Sequence, residues 1–412
     1  MLNWLSLQPM KILLLSSIFP YPPTKGGAQV RTFNLLKYLS LNHDLTLVTQ
    51  RSQEVTDEEV DSLRKWVKEL LIVPRPQNPD SSLGSKVKRF ARFLVQGTPP
   101  NVMHIYNSAV KDWIDQAVAA GKFDVITCEH SVNEVYVRPQ WKKKLRTVLN
   151  VHSSVYRTCK DQLATGTSEQ EIRDRLFLPL LKRYEQRSCG KFSSIVVTTD
   201  EDEQQIRQFA PNAKITIVPN GVDLAIFPYR PGDPGGYSLV FVGLLNYSVN
   251  IDAACFFAKK VLPLLQKKYP DTTLTLVGCK PSLEVKALAE ANPAVVVTGP
   301  VPSIAEYLHK ATISVVPLRT GFGIKNKTLE SMAGGTPVVG SDRGLEGLKV
   351  DTPDVPLRAL RANTVEEYVA AITRLFETPE LRKQLSYNGR KLIEQNYTWE
   401  SAAQLYEKIL QG

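Results

Sequence analysis

Cysteine is scarce in this chain and shows no pattern. Cys128, Cys159, Cys189, Cys255 and Cys279 are scattered through 412 residues, odd in number and never spaced C-x-x-C. That excludes a disulfide framework and a cysteine zinc site, and leaves buried packing thiols. Long apolar runs are also missing. The strongest one near the start, residues 12–15, is far short of the roughly 20 residues a membrane span needs. Residues 1–9 hold no positive charge and no small-residue cleavage site, so they do not read as a secretory leader and a cytosolic protein is expected. The G-x-G-x-x-G fingerprint is absent, which argues against a nicotinamide enzyme. No nucleophile–base pair of the hydrolase kind is visible, and no Asp-x-Asp precedes a strand, so no bound metal is expected.

What is present fits an ordinary globular protein of two domains. Hydrophobic residues make up 43% and charged residues 22%, which excludes a disordered or coiled-coil chain. The net charge of +10, from 51 Lys and Arg against 41 Asp and Glu, asks for an anionic partner without naming it. No aromatic stripe runs among the basic residues, so nucleic acid is not expected. Lys142, Lys143, Lys144 and Arg146 form one basic cluster. In another, Lys86, Lys88, Arg89 and Arg92 alternate with Val87, Phe90, Phe93 and Leu94. Phenylalanines between cations at helical spacing suit a helix lying on an anionic membrane; the alternative is a surface helix whose phenylalanines enter the core.

The dominant rhythm is apolar strand, loop, amphipathic helix. Short apolar runs fall at 11–17, 44–49, 70–74, 123–128, 147–151 and 194–199, with helical patterns between them. The rhythm breaks in the Pro/Gly-rich stretch 227–236. It restarts with runs at 238–243, 273–278, 295–298, 313–317 and 337–340, and three helical stretches close the chain. Nearly continuous apolar strands separated by helices predict parallel sheets covered on both faces. The expected architecture is two doubly wound α/β domains in tandem. They are residues 1–228 and 236–392, with 393–412 as a helix crossing back to the first domain. A cleft at the carboxyl ends of the strands is the expected site.

Two segments carry chemistry. Pro23-Thr-Lys-Gly26-Gly27 occupies the first strand-to-helix loop, where glycine lets backbone approach a ligand and a helix start offers free N–H groups. Further on, Gly321-Phe-Gly323-Ile-Lys325-Asn-Lys327-Thr-Leu-Glu330 opens a short helix, and Gly-Gly-Thr-Pro337 leads into the next strand. N–H groups at Gly323, Ile324 and Lys325 suit a diphosphate, and Lys325 and Lys327 add positive charge. Glu330, one turn on, offers a carboxylate able to take both hydroxyls of a ribose. A plainer reading has Glu330 pairing with a lysine of its own helix.

This second segment resembles the donor-binding motif of retaining glycosyltransferases of family 4, which have the GT-B fold. Glu330, Met332-Ala333, Gly335 and Pro337-Val338-Val339 match its second half. Val218-Pro-Asn-Gly-Val-Asp223, Leu239-Val-Phe-Val-Gly243 and Asn150-Val-His152 fall in the family's order, so the resemblance spans nearly the whole chain. Asn250-Ile-Asp252-Ala253 is similar to a stretch in bacterial exopolysaccharide sugar transferases. Two departures stand out. Phe322 occupies the place of the first motif glutamate, which contacts the donor sugar in the family. The cations usual after Gly243 are missing as well.

The resemblance implies two Rossmann-like domains facing a central cleft and a metal-independent hexosyltransferase. Its substrate would be a nucleoside-diphosphate sugar and its acceptor a glycan or lipid-linked hydroxyl, met in the cytoplasm or at the inner membrane face. It implies no cofactor. Gly26, Gly27, Gly243, Phe322, Gly323, Ile324, Lys325, Lys327 and Glu330 would bind the donor, and His152, His130 and Lys327 would act at the reacting centre. A phosphorylase, a nucleotide-sugar epimerase and a non-catalytic basic binding protein are the alternatives.

Overall fold

The computed structural model describes residues 8–23, 26–76, 82–152, 154–168, 170–321 and 323–412, without the side chains of Leu83 and Lys86. Seven strands form the first sheet: β1 (Lys11–Ser16), β2 (Asp44–Arg51), β3 (Glu69–Pro74), β4 (Val125–Glu129), β5 (Arg146–Asn150), β6 (Ser194–Val197) and β7 (Ile215–Ile217). Their order is β3-β2-β1-β4-β5-β6-β7, all parallel. Ile12, Leu13, Leu14 and Leu15 of β1 are fully buried because helices cover both faces of the strand, which is why it reads as a continuous apolar run.

The second sheet holds β8 (Ser238–Val242), β9 (Thr273–Val277), β10 (Val295–Val297), β11 (Ile313–Val316), β12 (Val338–Gly340) and β13 (Leu360–Arg361). Its parallel strands run β10-β9-β8-β11-β12-β13. Each sheet starts in its middle, winds to one edge and returns to wind to the other. The reversal falls between β1 and β4 in the first sheet and between β8 and β11 in the second. Strand carboxyl ends at such reversals leave a crevice that no crossover helix fills.

The chain divides into two compact units, Met1–Val218 with Ala403–Gly412, and Pro219–Ala402. The Pro/Gly stretch expected to link the domains belongs to the second unit. Phe227 packs into that unit's core, buried Arg230 donates to the Ala311 carbonyl at 3.0 Å, and Asp233 pairs with Arg382 at 2.7 Å. Proline and glycine interrupt the strand–helix rhythm there without releasing the backbone from the core. Residues 393–402 also stay with the second unit, and only Ala403–Gly412 joins the first. A backbone crossing holds this end: Val222 N donates to the Tyr397 carbonyl at 2.8 Å, and a Cβ on Gly221 would come within 2.2 Å of Trp399 N.

The helix Leu83–Gln96 corrects a second expectation. Phe93 is fully buried, and Phe90 stacks on Phe177 of the helix Glu171–Cys189 with ring centroids 5.5 Å apart. The phenylalanines therefore serve the core, and the solvent side of the helix carries Val87, Leu94 and Val95. All five cysteines are free thiols, and three of them are buried. Among the described residues, no helix is long and apolar enough to cross a membrane.

Candidate functional site

In the first unit, Glu129 ends β4 and pairs in register with Asn150, which ends β5. The Glu129 side chain is almost fully buried, and three donors converge on it. His152 Nε2 donates to Oε2 at 2.9 Å, Asn150 Nδ2 to the same oxygen at 3.0 Å, and the Tyr406 hydroxyl to Oε1 at 3.0 Å. Arg31, also buried, donates to Asn150 Oδ1 at 3.1 and 3.2 Å and places its charge near the carboxylate. Burial alone raises the carboxyl pKa. The His152 bond, the Arg31 charge and the Tyr406 bond outweigh it, so Glu129 lies below its ordinary value.

With Nε2 donating to Glu129, the hydrogen bond assigns His152 the tautomer whose Nδ1 is an acceptor, and Nδ1 is buried with no partner among the described residues. Glu129 thus orients His152 as a carboxylate orients a catalytic imidazole. His130 follows directly, with φ at 74°, a conformation costly for a side chain bearing a Cβ. Its amide donates to the Asn150 carbonyl at 2.9 Å, and its ring lies 5.9 Å from that of His152. Burial, reinforced by His152, pushes His130 down to about 3, so it is a neutral imidazole near pH 7.

Gly26 precedes the helix Gly27–Leu39, whose N-terminus has no side-chain cap and no acidic residue in its first turn. Among the described residues, nothing requires glycine at position 26. Its backbone is extended, and an added Cβ would meet only Gln29 Oε1, at an ordinary 3.6 Å. The same helix carries Arg31 to the end of β5, so the glycine loop and the two histidines belong to one polar region.

In the second unit, the loop after β11 turns through Gly321 (φ 126°) and Gly323 (φ 70°), both in the left-handed region that favours glycine. Buried Ile324 then leads to Lys325, which precedes the helix Asn326–Ala333 without capping it by a side chain. Asn220, within the Val218–Asp223 motif, donates from Nδ2 to Asn326 Oδ1 at 2.7 Å and so steadies this helix start. Phe322 lies outside the described residues.

Lys327 Nζ donates to Asn250 Oδ1 at 2.6 Å and sits 4.3 Å from the centre of the Phe241 ring. A Cβ on Gly243 would fall 2.8 Å from that same Nζ. Lys327 therefore brings its charge to the end of β8, the place where the sequence after Gly243 lacks the family's cations. Gly243 itself is pressed from the far side, since a Cβ on Gly278 would collide with the Gly243 carbonyl at 1.8 Å. Lys325 turns elsewhere: its ammonium bonds the Gly323 carbonyl and reaches Glu346 Oε2 at 3.1 Å.

Glu330 lies one turn after Lys327, half-buried, and its carboxylate makes no hydrogen bond among the described residues. Burial pushes it up to about 7, partly opposed by Lys327. Burial likewise pulls Lys327 down to about 7, with Glu330 opposing and Lys325 reinforcing.

The structure thus gathers Gly243, Lys327 and Glu330 in one place and Gly323, Ile324 and Lys325 beside it. Two parts of the site went unforeseen. Glu129, Arg31 and Tyr406 support His152, and Asn250 holds Lys327 while neighbouring Asp252 pairs with Arg319. Glu129 adjoins His130 in sequence, and that adjacency was its only signal.

Residues 25–226 match the family model described as Glycosyltransferase Family 4, and residues 236–378 match the one described as Glycosyl transferases group 1. An uncharacterized 44.6 kDa protein in the cps region of Klebsiella pneumoniae is 21% identical over 94% of this chain and 96% of its own length. Glycogen synthase of Mycobacterium tuberculosis is 25% identical over 51% of this chain and 52% of its own. Among solved structures, sucrose-phosphate synthase of Thermosynechococcus elongatus superposes with a TM-score of 0.69 at 18% identity, over 98% of this chain and 99% of its own. Anabaena HepE, solved in complex with UDP and glucose, superposes with a TM-score of 0.64 at 13% identity, over 98% of this chain and all of its own. Two parallel Rossmann-like sheets, the likeness of fold and the two domain matches in succession lead to one assignment: the chain belongs to the family 4 glycosyltransferases.

Proposed function

We propose that the enzyme moves a sugar from a nucleoside-diphosphate sugar to a hydroxyl of a glycan or lipid-linked acceptor, with retention at the anomeric carbon and without a metal. The observation that carries this reading is Glu330, a half-buried carboxylate without a hydrogen-bond partner among the described residues, one turn from a lysine at a helix start. Ribose hydroxyls would satisfy Glu330, and the diphosphate would take Lys327 and the N–H groups at Gly323, Ile324 and Lys325. Lys325 would exchange its bond to Glu346 for the phosphates. Gly26 and Gly27 would approach the diphosphate with bare backbone, in keeping with a glycine at position 26 that no described neighbour requires.

In the transfer, the bond from the anomeric carbon to the leaving phosphate oxygen breaks, and the acceptor oxygen bonds to the same face of the sugar. The acceptor proton passes to the departing phosphate oxygen. Lys327 stabilises charge growing on that group. His152, held by Glu129 with Nδ1 as acceptor, and neutral His130 would position sugar hydroxyls. The UDP and glucose of the Anabaena neighbour and the capsule-region relative support this class of donor and a polysaccharide setting. We place the reaction in the cytoplasm, with the acceptor met at the inner face of an anionic membrane.

Thermal-shift titration with UDP, GDP, ADP and their sugars tests the reading. One nucleotide should raise the melting temperature in the native enzyme and fail to do so in Glu330→Ala. No shift with any of them overturns the donor site. Turnover that depends on free phosphate, or that needs no acceptor, would replace transfer by phosphorolysis or epimerisation.

A further inference from the structure

We propose that the first unit carries a docking surface for an anionic lipid membrane, formed by the solvent faces of the helices Leu83–Gln96 and Glu171–Cys189. The proposal rests on the acceptor-at-membrane reading above and gives it a place on the molecule. It is not the face that the phenylalanines suggest in sequence.

On the first helix, Val87, Ala91, Leu94 and Val95 recur at i, i+4, i+7 and i+8 and so form one stripe. All four are exposed, Val95 at 87% and Val87 at 61%. On the second helix, Ile172, Leu176 and Pro179 form another exposed stripe at i, i+4 and i+7, with Ile172 at 80%. Apolar side chains this bare are normally isolated on a soluble surface; here they line two packed helices.

The helices are fixed to each other. Phe90 stacks on Phe177, Phe93 meets the same ring edge-on at 5.2 Å, and Arg187 donates to the Gly97 carbonyl at 2.9 Å beyond the end of the first helix. The two stripes therefore move as one body.

Charge selects the partner. Lys88 and Arg92 border the first stripe, and Lys182 and Arg183 extend the second; all four are exposed and make no ion pair among the described residues. The acidic side chains nearby are already used: Glu171 binds Arg175 at 2.6 Å and Asp174 binds Arg173 at 2.7 Å. The helix Leu83–Gln96 has no acidic residue at all. Apolar side chains rimmed by free cations match acyl chains beneath anionic headgroups. A second copy of the chain fits poorly, because a two-fold contact would set these cations against their own copies.

Flotation of the full chain with vesicles of phosphatidylcholine containing about a third phosphatidylglycerol tests the surface. Binding is expected at low salt and should weaken steeply as salt screens the cations. Lys88→Gln with Arg92→Gln should lower the partition coefficient at least about tenfold. Val95→Gln with Ile172→Gln should abolish binding. These side chains are solvent-facing, so melting temperature, UDP affinity and transfer to a soluble acceptor should remain native. Loss of nucleotide binding in the native enzyme would instead strike the donor assignment, leaving flotation to judge the surface on its own. Equal binding to pure phosphatidylcholine, or native binding by the double variants, overturns the proposal. So does a concentration-dependent dimer that the same substitutions dissolve while vesicles stay unbound.

Discussion

Glu129 and Glu330 hold comparable places in the two units. Glu129 ends β4, Glu330 lies on the helix that follows β11, and each of these strands borders the reversal of its sheet. Burial pushes both carboxylates toward their protonated form. Glu129 has three hydrogen-bond donors and a buried guanidinium, and ends below its ordinary value. Glu330 has one lysine nearby and no hydrogen bond among the described residues, and ends near 7. Burial raises both, yet the outcomes are opposite, so the supply of donors decides the charge. The fold has completed the first carboxylate as a support for His152. On the reading proposed above, a ligand completes the second.

Breaking the completed carboxylate should cost most. Glu129→Ala removes the acceptor shared by His152, Asn150 and Tyr406 and takes from buried Arg31 the strongest of the charges that offset its own, a loss of about 3–5 kcal/mol. Urea denaturation measures it, and a loss below about 1 kcal/mol would mean the network is ornamental. On the unfinished side, Lys327→Ala should lower turnover about a hundredfold by removing a charge contact made in the transition state. A native kcat in that variant would end its assignment.

Glu330→Gln should weaken the donor nucleotide about ten- to a hundredfold, since a bond to a charged acceptor is replaced by one to a neutral amide. pH sharpens the contrast. Below about 7 Glu330 gains its proton and loses its appeal to ribose hydroxyls, so affinity falls on the acid side. Above about 7 Lys327 loses its charge, so affinity for diphosphate falls on the alkaline side. Calorimetric titration of the nucleotide against pH should trace a bell, and Glu330→Gln should flatten only its acid limb.

The smallest effect is expected from Tyr406→Phe, which removes one donor from Glu129 for about 1 kcal/mol. Glu129 is lowered in the folded state, so its stabilisation is present above its ordinary 4.5 and fades as pH falls through the folded value. With one donor gone, that fading should be complete at a higher pH in acid titrations followed by circular dichroism.

The sheets were legible because strands buried on both faces cannot hide their apolar runs. β7 and β13 escaped notice because three and two residues are too few to form a pattern. The loop after β11 was legible from glycines whose left-handed backbone the chain must supply locally. The support of His152 was not: Tyr406 lies 277 residues from Glu129, and no local spacing encodes such a pairing. The helix Leu83–Gln96 misled for a different reason. It is apolar on two faces, and only the position of Phe177 decides which one is buried.

The bond from Tyr406 to Glu129 also sets an order of events during synthesis. The ribosome completes Met1–Val218, then the whole of Pro219–Ala402, and only afterwards the segment Ala403–Gly412 that supplies this hydroxyl. Amino-terminal domains ordinarily finish folding first as a chain emerges. Here the first unit made is the last to close, and until it does, Glu129 keeps an oxygen without its partner. Removal of the final ten residues, far in sequence from every histidine of the site, would leave His152 resting on an incomplete support.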